Sequence, residues 1–334
     1  MNIIITGGGT GGHLSVAKAF KEELNKREIR PIYIGSTYGQ DRAWFENDEG
    51  FSEKIFFDSS GVINKKGLKK IYSLINILKI AKKCKDIIET RNIEAVISVG
   101  GYSAAPASFA AILSKTPLFI HEQNAVKGKL NQILSPFAKR VFCSFLPPYD
   151  PYPVSESFFE KRRIRKEVKT VIFLGGSQGA KEINDFALYV AKELEQRGIK
   201  IIHQTGKKDL ERVKKEYEKL DIKVDIFDFD KKVVEKIEKA DFAVSRAGAS
   251  TLWELAANAI PTLFLPYPYA AGNHQEFNAR FLVKYKAAFL YDKKLGPKQL
   301  LDIIEKDLSQ YSKRLIGLTK RGGSRSVIDE IIKS

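Results

Sequence analysis

The sequence predicts an α/β protein built from two doubly wound domains, each containing a parallel sheet. A short apolar run, a glycine-rich turn and a helical pattern follow one another near residue 2, and the same succession restarts near residue 170. Apolar runs that alternate with helices are typical of parallel strands joined by crossover helices. The length of 334 residues also suits two domains of average size.

Apolar runs locate the strands of both domains. In the first half they predict strands at 2–5, 31–34, 95–99 and 118–120, with a helix over about 14–27 after the glycine loop 6–13. In the second half they predict strands at 170–174, 199–203, 224–227, 242–245 and 262–265, with a helix to about 196 after the glycine loop 175–180. Short continuous apolar runs are typical of buried parallel strands.

A proline-rich segment is predicted to separate the domains. Four prolines lie between residues 147 and 153, and proline continues neither a helix nor a central strand. We therefore expect a first domain over 1–146, a linker over 147–156 and a second domain from 157. Ligands bind beyond the carboxyl ends of the strands in open α/β sheets, so two facing sheets are expected to form a cleft with glycine loops on both walls.

Charge and composition restrict the class of protein. The net charge of +16 implies an anionic partner, which leaves nucleic acid, an acidic membrane face and phosphorylated ligands as alternatives. The two cysteines, Cys84 and Cys143, lie far apart, so neither a disulfide framework nor a zinc site is expected. The absence of a secretory signal and of an apolar stretch of bilayer length predicts a cytoplasmic protein that does not cross a membrane.

The first glycine loop matches the dinucleotide-binding pattern with Gly7, Gly9 and Gly12. Backbone N–H groups at such a helix start can bind an anion, although the loop can equally serve only to begin the helix. A nicotinamide enzyme would need an acid at the end of the second strand, and that strand ends in Gly35-Ser36 instead. His13 adds a titratable side chain at the end of the loop.

Polar and small residues follow two further strands of the first half. The segment 100–106 is a small-residue turn that fits either a site or tight packing of a helix on a strand. The four polar residues 121–124 come directly after an apolar strand. Because buried polar side chains need partners, this cluster predicts a site or a network supporting one, with a solvated loop as the alternative.

The second half offers three comparable segments. The loop 175–180 is a second candidate anion nest, in which Ser177 adds a hydroxyl group. The segment 245–254 opens a helix with small residues and places Glu254 about one turn inside it, where its carboxylate either binds a sugar hydroxyl pair or complements the helix dipole. The loop 266–279 carries Asn273, His274 and Gln275, which suit sugar hydroxyls.

Taken in order, these motifs resemble those of the MurG family of UDP-N-acetylglucosamine transferases, which convert lipid I to lipid II in peptidoglycan synthesis. The matching runs are GGTGGH at 8–13, GGYS at 100–103, HEQN at 121–124, GGSQGA at 175–180, RAGASTxxE at 246–254 and NHQxxNA at 273–279. They cover nearly the whole chain. The resemblance implies a GT-B fold, in which the first domain faces the acceptor and the membrane, the second (157–312) binds UDP-GlcNAc and a C-terminal helix (313–334) returns to the first.

The resemblance also implies a reaction and its residues. The expected reaction is inverting transfer of GlcNAc from UDP-GlcNAc to the 4-hydroxyl of lipid I (undecaprenyl-pyrophosphoryl-MurNAc-pentapeptide), without metal or cofactor. His13 is the candidate base, with Tyr102 and Asn124 beside it. The donor-binding residues carried over by position are Thr10, Gly11, Gly12, Asn124, Ser177, Gln178, Asp230, Ala249, Ser250, Thr251, Glu254 and Gln275.

The chain departs from the family pattern after the linker. Members of the family usually carry an arginine that contacts the donor where this chain has Ser155. Arg162 and Arg163 are the nearby candidates to replace it.

A lysine-rich segment predicts contact with a membrane surface. Between Lys65 and Lys85 there are eight lysines and no acid, and the apolar residues among them occupy more than one helical stripe. An amphipathic helix bordered by lysines can lie on an anionic bilayer, although a buried crossover helix with a solvated lysine face gives the same pattern. The residues predicted to face the membrane are Lys69, Lys70, Leu74, Leu78, Lys82 and Lys83, and the expected location is the cytoplasmic face of the cell (inner) membrane, as a peripheral protein.

Four other functions fit parts of the sequence. A GT-B enzyme with a different acceptor, such as a diacylglycerol galactosyltransferase, would differ in its donor preference. A nicotinamide oxidoreductase would bind NAD, and a non-catalytic membrane scaffold would need no sugar-nucleotide site. A nucleic-acid binder would use the positive charge, but the lysines lack interleaved aromatic residues and a known module, so no nucleic-acid partner is expected.

Overall fold

The structure is a computed structural model that describes residues 1–61, 66–176, 179–230 and 232–334. The chain divides into two compact units, one formed by Met1–Val154 with Gly322–Ser334 and the other by Ser155–Arg321. Each unit contains one six-stranded sheet, in which all the paired strands are parallel. The predicted fold class of two Rossmann-like, doubly wound α/β domains is confirmed.

The sheet of the first unit has the order β3-β2-β1-β4-β5-β6. Its strands are β1 (Ile3–Thr6), β2 (Ile32–Ser36), β3 (Glu53–Phe57), β4 (Ala95–Ser98), β5 (Leu118–Glu122) and β6 (Arg140–Cys143). The central strands β1 and β4 are buried at every residue, as expected where helices cover both faces of a parallel sheet. Strand order reverses between β1 and β4, so the carboxyl ends of these two strands form the topological switch point where ligands bind in such folds.

Helices cover both faces of this sheet. They are α1 (Gly11–Asn25), α2 (Asp41–Phe45), α3 (Leu68–Thr90), α4 (Ala105–Leu113) and α5 (Lys129–Leu134), with single 3₁₀ turns at Tyr102–Ala104 and Ser135–Phe137. One core cluster packs Ile4 and Val96 of the central strands against Ile80 of α3 and Ala107 of α4. The alanine-rich face of α4 lets α3 lie close to it.

The sheet of the second unit has the order β12-β11-β10-β7-β8-β9. Its strands are β7 (Thr170–Leu174), β8 (Lys200–Gln204), β9 (Asp225–Phe227), β10 (Phe242–Ser245), β11 (Thr262–Phe264) and β12 (Phe289–Leu290). Its helices are α6 (Ser157–Glu160), α7 (Lys181–Gln196), α8 (Leu210–Lys219), α9 (Val233–Ile237), α10 (Ala249–Ala257), α11 (His274–Lys284), α12 (Lys298–Ile304) and α13 (Ser309–Leu318), with a 3₁₀ turn at Ala271–Asn273. Here the strand order reverses between β7 and β10, which places the switch point at their carboxyl ends.

The end of the chain differs from the single helix expected over 313–334. Helix α13 belongs to the second unit, and a separate helix α14 (Gly323–Lys333) belongs to the first. Thr319, directly after α13, is extended, and Gly322, directly before α14, adopts a φ of +74°, which glycine adopts without strain. Helix α14 is held to the first unit by ion pairs from Arg27 to Asp329 and from Arg140 to Glu330.

The proline-rich segment packs on the first unit instead of standing apart from it. Tyr152 and Val154 are buried, and the ring of Tyr152 meets the ring of His121 edge-on at 5.4 Å. Asp150 accepts hydrogen bonds from Arg140 and from the backbone N–H of Cys143. The first unit therefore extends to Val154, beyond the predicted boundary at residue 146.

Candidate active-site loops of the two units

Two glycine loops pack against each other at the switch point of the first unit. Gly8 donates its N–H to the carbonyl of Gly100 at 3.1 Å. A Cβ atom on Gly7 would lie 2.3 Å from the carbonyl oxygen of Gly100, and one on Gly101 would lie 2.1 Å from that of Gly8. Both residues also have a positive φ. The glycines are thus required by close backbone approach between the loops that follow β1 and β4.

A buried carboxylate occupies the first glycine loop from within the protein. Asp41, at the start of α2, is 0% exposed. Its carboxylate accepts the N–H of Gly9 at 2.5 Å and the N–H of Ser36 at 2.9 Å. The N–H of Gly9, which the sequence offered to an external anion, is therefore already bound to an internal one.

His13 lies on the first turn of α1, directly after this loop. Its Nδ1 is 2.8 Å from the hydroxyl oxygen of Thr10. The other edge of its ring faces the second loop, because a Cβ atom on Gly100 would lie 3.4 Å from Nε2 of His13. If Nδ1 carries the proton and donates it to Thr10, then Nε2 has a lone pair with which to accept a proton.

Tyr102 covers the same loop from the β4 side. A Cβ atom on Gly9 would lie 2.6 Å from the Tyr102 ring, and one on Gly39 would lie 2.8 Å from its hydroxyl. Burial and the Asp41 carboxylate raise the pKa of Tyr102, while a hydrogen bond with Ser36 opposes that rise. Tyr102 is therefore a neutral hydroxyl group at neutral pH. His13 and Tyr102 therefore both lie against the glycine loops at the switch point of the first unit.

The polar cluster 121–124, whose first two residues are the last two of β5, divides into different environments. His121 is buried without a hydrogen-bond partner for either ring nitrogen among the described residues, and burial lowers its pKa to about 3. Glu122 is buried and accepts the N–H groups of Asn124 and Gly128 and the side-chain amide of Asn131. His121 is thus a neutral packing residue, whereas Glu122 holds the loop that carries Asn124.

The switch point of the second unit also joins a glycine loop to a helix start. A Cβ atom on Gly179 would lie 2.6 Å from the carbonyl oxygen of Thr205, so this loop too packs closely on its neighbour. Arg246, just after β10, reaches across to Glu182 of α7 at 2.9 Å. The predicted donor residues Ser177 and Gln178 lie outside the described residues.

Helix α10 begins at this switch point and carries most of the remaining predicted donor residues. It opens with Ala249, Ser250 and Thr251, after Gly248 in an extended conformation. Glu254 follows one turn later and is mostly buried. Among the residues that the structure describes, none forms a hydrogen bond or ion pair with its carboxyl group, and burial raises its pKa to about 7. Glu254 thus presents, near the N-terminus of α10, a carboxyl group that no described residue binds.

Gln275 and Asp230 both lie beyond carboxyl ends of strands in the second sheet, but on opposite sides of it, after β11 and β9. Gln275, on the first turn of α11, accepts the backbone N–H of Tyr267 at 2.9 Å through its carbonyl oxygen. Its side-chain N–H groups then point away as donors. Asp230 follows β9 and accepts the backbone N–H of Lys232 at 2.7 Å. These bonds fix both loops but leave polar groups available at the carboxyl ends of the strands.

Neither proposed substitute for the missing family arginine reaches this edge. Arg163 binds Asp241 at 2.6 Å and the carbonyl of Ala240, both immediately before the first residue of β10. The guanidinium of Arg162 lies 5.0 Å from the ring centre of Phe159 in α6. Arg163 therefore lies at the amino end of β10, opposite the switch point, and Arg162 packs on α6.

Comparison with known proteins identifies the family. Residues 3–143 match the N-terminal domain of glycosyltransferase family 28, and residues 170–323 match its C-terminal domain. The chain belongs to glycosyltransferase family 28. A relative from a Nitratiruptor species is 57% identical over 333 residues, which cover 100% of this chain and 99% of the relative. It is named UDP-N-acetylglucosamine–N-acetylmuramyl-(pentapeptide) pyrophosphoryl-undecaprenol N-acetylglucosamine transferase.

Two further matches agree with this family. A relative of the same name from Campylobacter jejuni subsp. jejuni (serotype O:23/36, strain 81-176) is 50% identical over 334 residues, covering 99% of this chain and 98% of the relative. The crystal structure of Acinetobacter baumannii MurG superposes with a TM-score of 0.81 at 25% identity, covering 100% of this chain and 99% of that one. The predicted membership of the MurG family of GT-B glycosyltransferases is confirmed.

Sequence reasoning missed two residues that organise the family 28 N-terminal domain. Asp41 was missed because an acid was sought at the end of β2, whereas Asp41 follows five residues later and turns back to the loop. Asn131 was missed because it lies inside α5. It is buried beside Gly100, and its carbonyl oxygen has no hydrogen-bond partner among the described residues.

Proposed function

We propose that this protein transfers N-acetylglucosamine from UDP-N-acetylglucosamine to the 4-hydroxyl of the N-acetylmuramyl residue of lipid I, giving lipid II and UDP for peptidoglycan synthesis. The observation that carries the proposal is the full-length match, at 57% identity, to a transferase named for this donor and acceptor. The protein is then a hexosyltransferase whose function contributes to cell-wall biogenesis, and so to cell shape and division.

The second unit supplies a site suited to the donor. Glu254 is placed to accept hydrogen bonds from the two ribose hydroxyls, because its carboxyl group has no protein partner among the described residues. The side-chain N–H groups of Gln275 are placed to donate to GlcNAc hydroxyls. Asp230, also among the predicted donor-binding residues, lies on the loop that meets the uracil in this proposal.

The departing diphosphate needs positive charge. The N-terminus of α10, at Ala249, Ser250 and Thr251, offers backbone N–H groups and the positive end of a helix dipole. In this proposal, the loop containing Ser177 and Gln178 supplies a second set of hydrogen-bond donors to the diphosphate. This charge can stabilise the leaving UDP, so the proposed reaction uses neither a metal ion nor a cofactor.

The first unit supplies the base. Nε2 of His13 accepts the proton of the acceptor 4-hydroxyl as its oxygen attacks the anomeric carbon of GlcNAc. The new bond joins that oxygen to the anomeric carbon, and the bond from this carbon to the β-phosphate oxygen breaks, so the configuration inverts and UDP leaves with the electron pair. Thr10 holds the His13 ring, while Tyr102 and Asn124 line the acceptor side.

The test is acceptor-dependent release of UDP. Purified protein is incubated with UDP-GlcNAc, with and without a lipid I analogue, and UDP-GalNAc serves as the control donor. We expect release only when UDP-GlcNAc and the acceptor are both present. Equal release without the acceptor, or no release by folded protein, would contradict the proposal. A diacylglycerol acceptor that supports release would favour the related lipid galactosyltransferases instead.

A second proposal concerns the surface of α3. The apolar side chains Leu68, Ile71, Tyr72, Leu74, Ile75 and Leu78 are between 46% and 84% exposed, although the opposite face of the helix is buried through Ile77, Ile80, Ala81 and Cys84. Packing on the core does not account for these six exposed apolar residues, because other residues fill the core-facing side of the helix. Across the described residues, no helix is both long and apolar enough to cross a bilayer.

Lysines surround this apolar surface without protein partners. Lys69, Lys70, Lys82 and Lys83 are exposed and form no ion pair among the described residues. Near an anionic bilayer each lysine contributes about 1 kcal/mol of attraction. We infer that α3 lies on the anionic cytoplasmic face of the cell membrane, where a lipid-linked acceptor would be found, and that its charge serves this surface and not nucleic acid.

A further inference from the structure

We propose that Asp41 is a positioning residue for the candidate base: by holding the N–H of Gly9 it fixes the loop through which Thr10 orients His13. This inference rests on the proposed function, because it assigns a part in that reaction to a residue outside the substrate-binding groups. The connection runs from the Asp41 carboxylate to Gly9, to the adjacent Thr10 and to Nδ1 of His13.

The first support is the cost of burying this carboxylate. Asp41 is 0% exposed and has no cationic partner among the described residues. Burying an unpaired carboxylate costs several kcal/mol unless hydrogen bonds offset that cost. A buried leucine or valine would fill the space without this cost. The charge is therefore placed where it orders backbone N–H groups from two different loops.

The second support is the close fit around the carboxylate. A Cβ atom on Gly8 would lie 2.6 Å from one carboxylate oxygen of Asp41, and one on Gly35 would lie 2.8 Å from the other. Tyr33 adds a second brace, because its hydroxyl donates to the carbonyl of Gly7 at 2.9 Å. Residues 7–9 are thus held through both their carbonyl and N–H groups, so Thr10, the residue directly before α1, is held in position.

The third support is the chemistry that His13 must perform. A base at Nε2 requires the proton of the neutral ring to be on Nδ1, and imidazole in water prefers the opposite tautomer. The hydroxyl of Thr10, 2.8 Å from Nδ1, can accept a hydrogen bond from the Nδ1–H group only while the loop keeps its position. Misplacing a catalytic group by about 1 Å can lower a rate by about a hundredfold.

The same arrangement determines what this loop binds. A diphosphate placed at the N–H of Gly9 would be repelled by the Asp41 carboxylate. It could not accept a hydrogen bond from this N–H, which Asp41 already accepts. The loop is consequently suited to an uncharged, hydroxyl-bearing part of the acceptor, which is what a base at His13 must reach.

Asp41→Asn tests the role, with Asp48→Asn as the matched control. Asparagine has one acceptor oxygen and therefore cannot satisfy both Gly9 and Ser36. Asp48 lies in the same unit and binds Lys21 at 2.8 Å and the N–H of Gly50 at 2.8 Å, but it makes no contact with the glycine loop. We expect Asp41→Asn to lower kcat about 10- to 100-fold with an unchanged KM for UDP-GlcNAc, and Asp48→Asn to lower the melting temperature only.

A double-mutant cycle separates positioning from loss of stability. If Asp41 acts through Thr10, then Asp41→Asn should lower kcat much less in a Thr10→Val background than in the wild type. Equal fold-losses in both backgrounds would overturn the proposal. Tyr33→Phe, which removes one hydroxyl from the same brace, provides a milder variant should Asp41→Asn fail to fold, and the same non-additivity with Thr10→Val is expected.

The tautomer of His13 gives a readout that does not depend on activity. The chain has four histidines, so the ring ¹⁵N shifts of His13 can be assigned by comparison with His13→Gln. We expect protonated Nδ1 in the wild type and a shift toward protonated Nε2 in Asp41→Asn. An unchanged His13 spectrum with wild-type kcat would overturn the role of Asp41 alone. A wild-type enzyme without acceptor-dependent UDP release would overturn the proposed function and this role together.

Discussion

At the scale of single residues, burial determines the charge of Glu254 and His121 at neutral pH. Glu254 and His121 are both affected by burial, which disfavours the charged form of each. The effect raises the pKa of Glu254 to about 7 and lowers that of His121 to about 3. Glu254 can therefore change its charge when a ligand binds at neutral pH, whereas His121 stays neutral.

Donor affinity should depend on the ionisation of Glu254. Ribose hydroxyls donate to a carboxylate, so binding favours the ionised form, and we expect the Kd for UDP-GlcNAc to rise several-fold between pH 8 and pH 6. Isothermal titration calorimetry can measure this Kd, because the diphosphate of UDP-GlcNAc is esterified at both ends and does not titrate between pH 6 and pH 8. Glu254→Gln should bind more weakly and lose the pH dependence. A wild-type Kd that is independent of pH would contradict the role of Glu254.

His13→Gln should affect the chemical step alone. General-base catalysis contributes about 10²- to 10⁴-fold in rate, so we expect a loss of that size in kcat with little change in the KM for UDP-GlcNAc. Steady-state kinetics with a lipid I analogue measures both constants, and a thermal melt checks the fold. Near-normal turnover would show that another group accepts the proton.

The sequence revealed the motif residues of the site but not what holds them. His13, Tyr102 and Glu254 stand in recognisable runs after predicted strands, so their loops at the carboxyl ends of the two sheets could be predicted. Asp41 binds the backbone N–H of Gly9, which lies 32 residues earlier in the chain, and no local pattern signals such a contact. Arg162 and Arg163 show the same limit, because distance along the chain does not say which end of a sheet a residue reaches.

At the scale of elements, the strands that the apolar pattern did not reveal lie at the edges of the sheets. The central strands β1, β4, β7 and β10 were predicted as unbroken apolar runs because helices cover both of their faces. The strands β3, β6 and β12 escaped prediction, and all three lie at sheet edges. At the first two, charged residues interrupt the run, as in Glu53-Lys54 and Arg140. Strand β12 has only two residues.

Helix α3 should provide the affinity for anionic membranes. Lys69, Lys70, Lys82 and Lys83 replaced together by Gln should weaken binding to vesicles of phosphatidylglycerol and phosphatidylcholine by at least about tenfold, since each lysine contributes about 1 kcal/mol. The matched control replaces Lys192, Lys214, Lys215 and Lys223 of the second unit by Gln, with the same change in charge. Cosedimentation measures both. Equal weakening by the two variants would assign the binding to net charge and not to α3.

The start of α14 should be sensitive to a single methyl group. A Cβ atom on Gly323 would lie 2.2 Å from the carbonyl oxygen of Tyr152, so Gly323→Ala should lower the free energy of unfolding by about 1–3 kcal/mol. Gly317→Ala is the control, because no atom lies within 4 Å of that Cβ position on α13 and alanine favours a helix. Urea denaturation followed by circular dichroism measures both. Destabilisation by Gly317→Ala alone would contradict this account.

At the scale of the whole molecule, the two units should respond differently to acid. His121 in the first unit and His203 in the second both have a pKa lowered by burial to about 3. Below pH 6.5 their unfolded forms bind protons that the folded forms do not, so each histidine lowers stability as the pH falls. Glu254 acts in the opposite direction, because its pKa is raised and the folded form binds the additional proton.

The first unit should therefore lose stability first. Between pH 6.5 and pH 5 we expect a loss approaching about 1.4 kcal/mol per pH unit from His121, while His203 and Glu254 nearly cancel in the second unit. Hydrogen exchange followed by mass spectrometry can compare peptides from β1 and β7. Glu254→Gln should make the second unit acid-sensitive as well. Equal acid sensitivity of the two units in the wild type would contradict the assignment.

The central claim is that this chain forms a new bond between GlcNAc and the 4-hydroxyl of a lipid-linked MurNAc with inversion. The most direct measurement is an NMR spectrum of the product made from UDP-GlcNAc and a soluble lipid I analogue. We predict a β-linked GlcNAc with a large anomeric coupling and a through-bond correlation from its anomeric proton to C4 of MurNAc. An α-linked product, a linkage at another carbon or free GlcNAc alone would contradict the account.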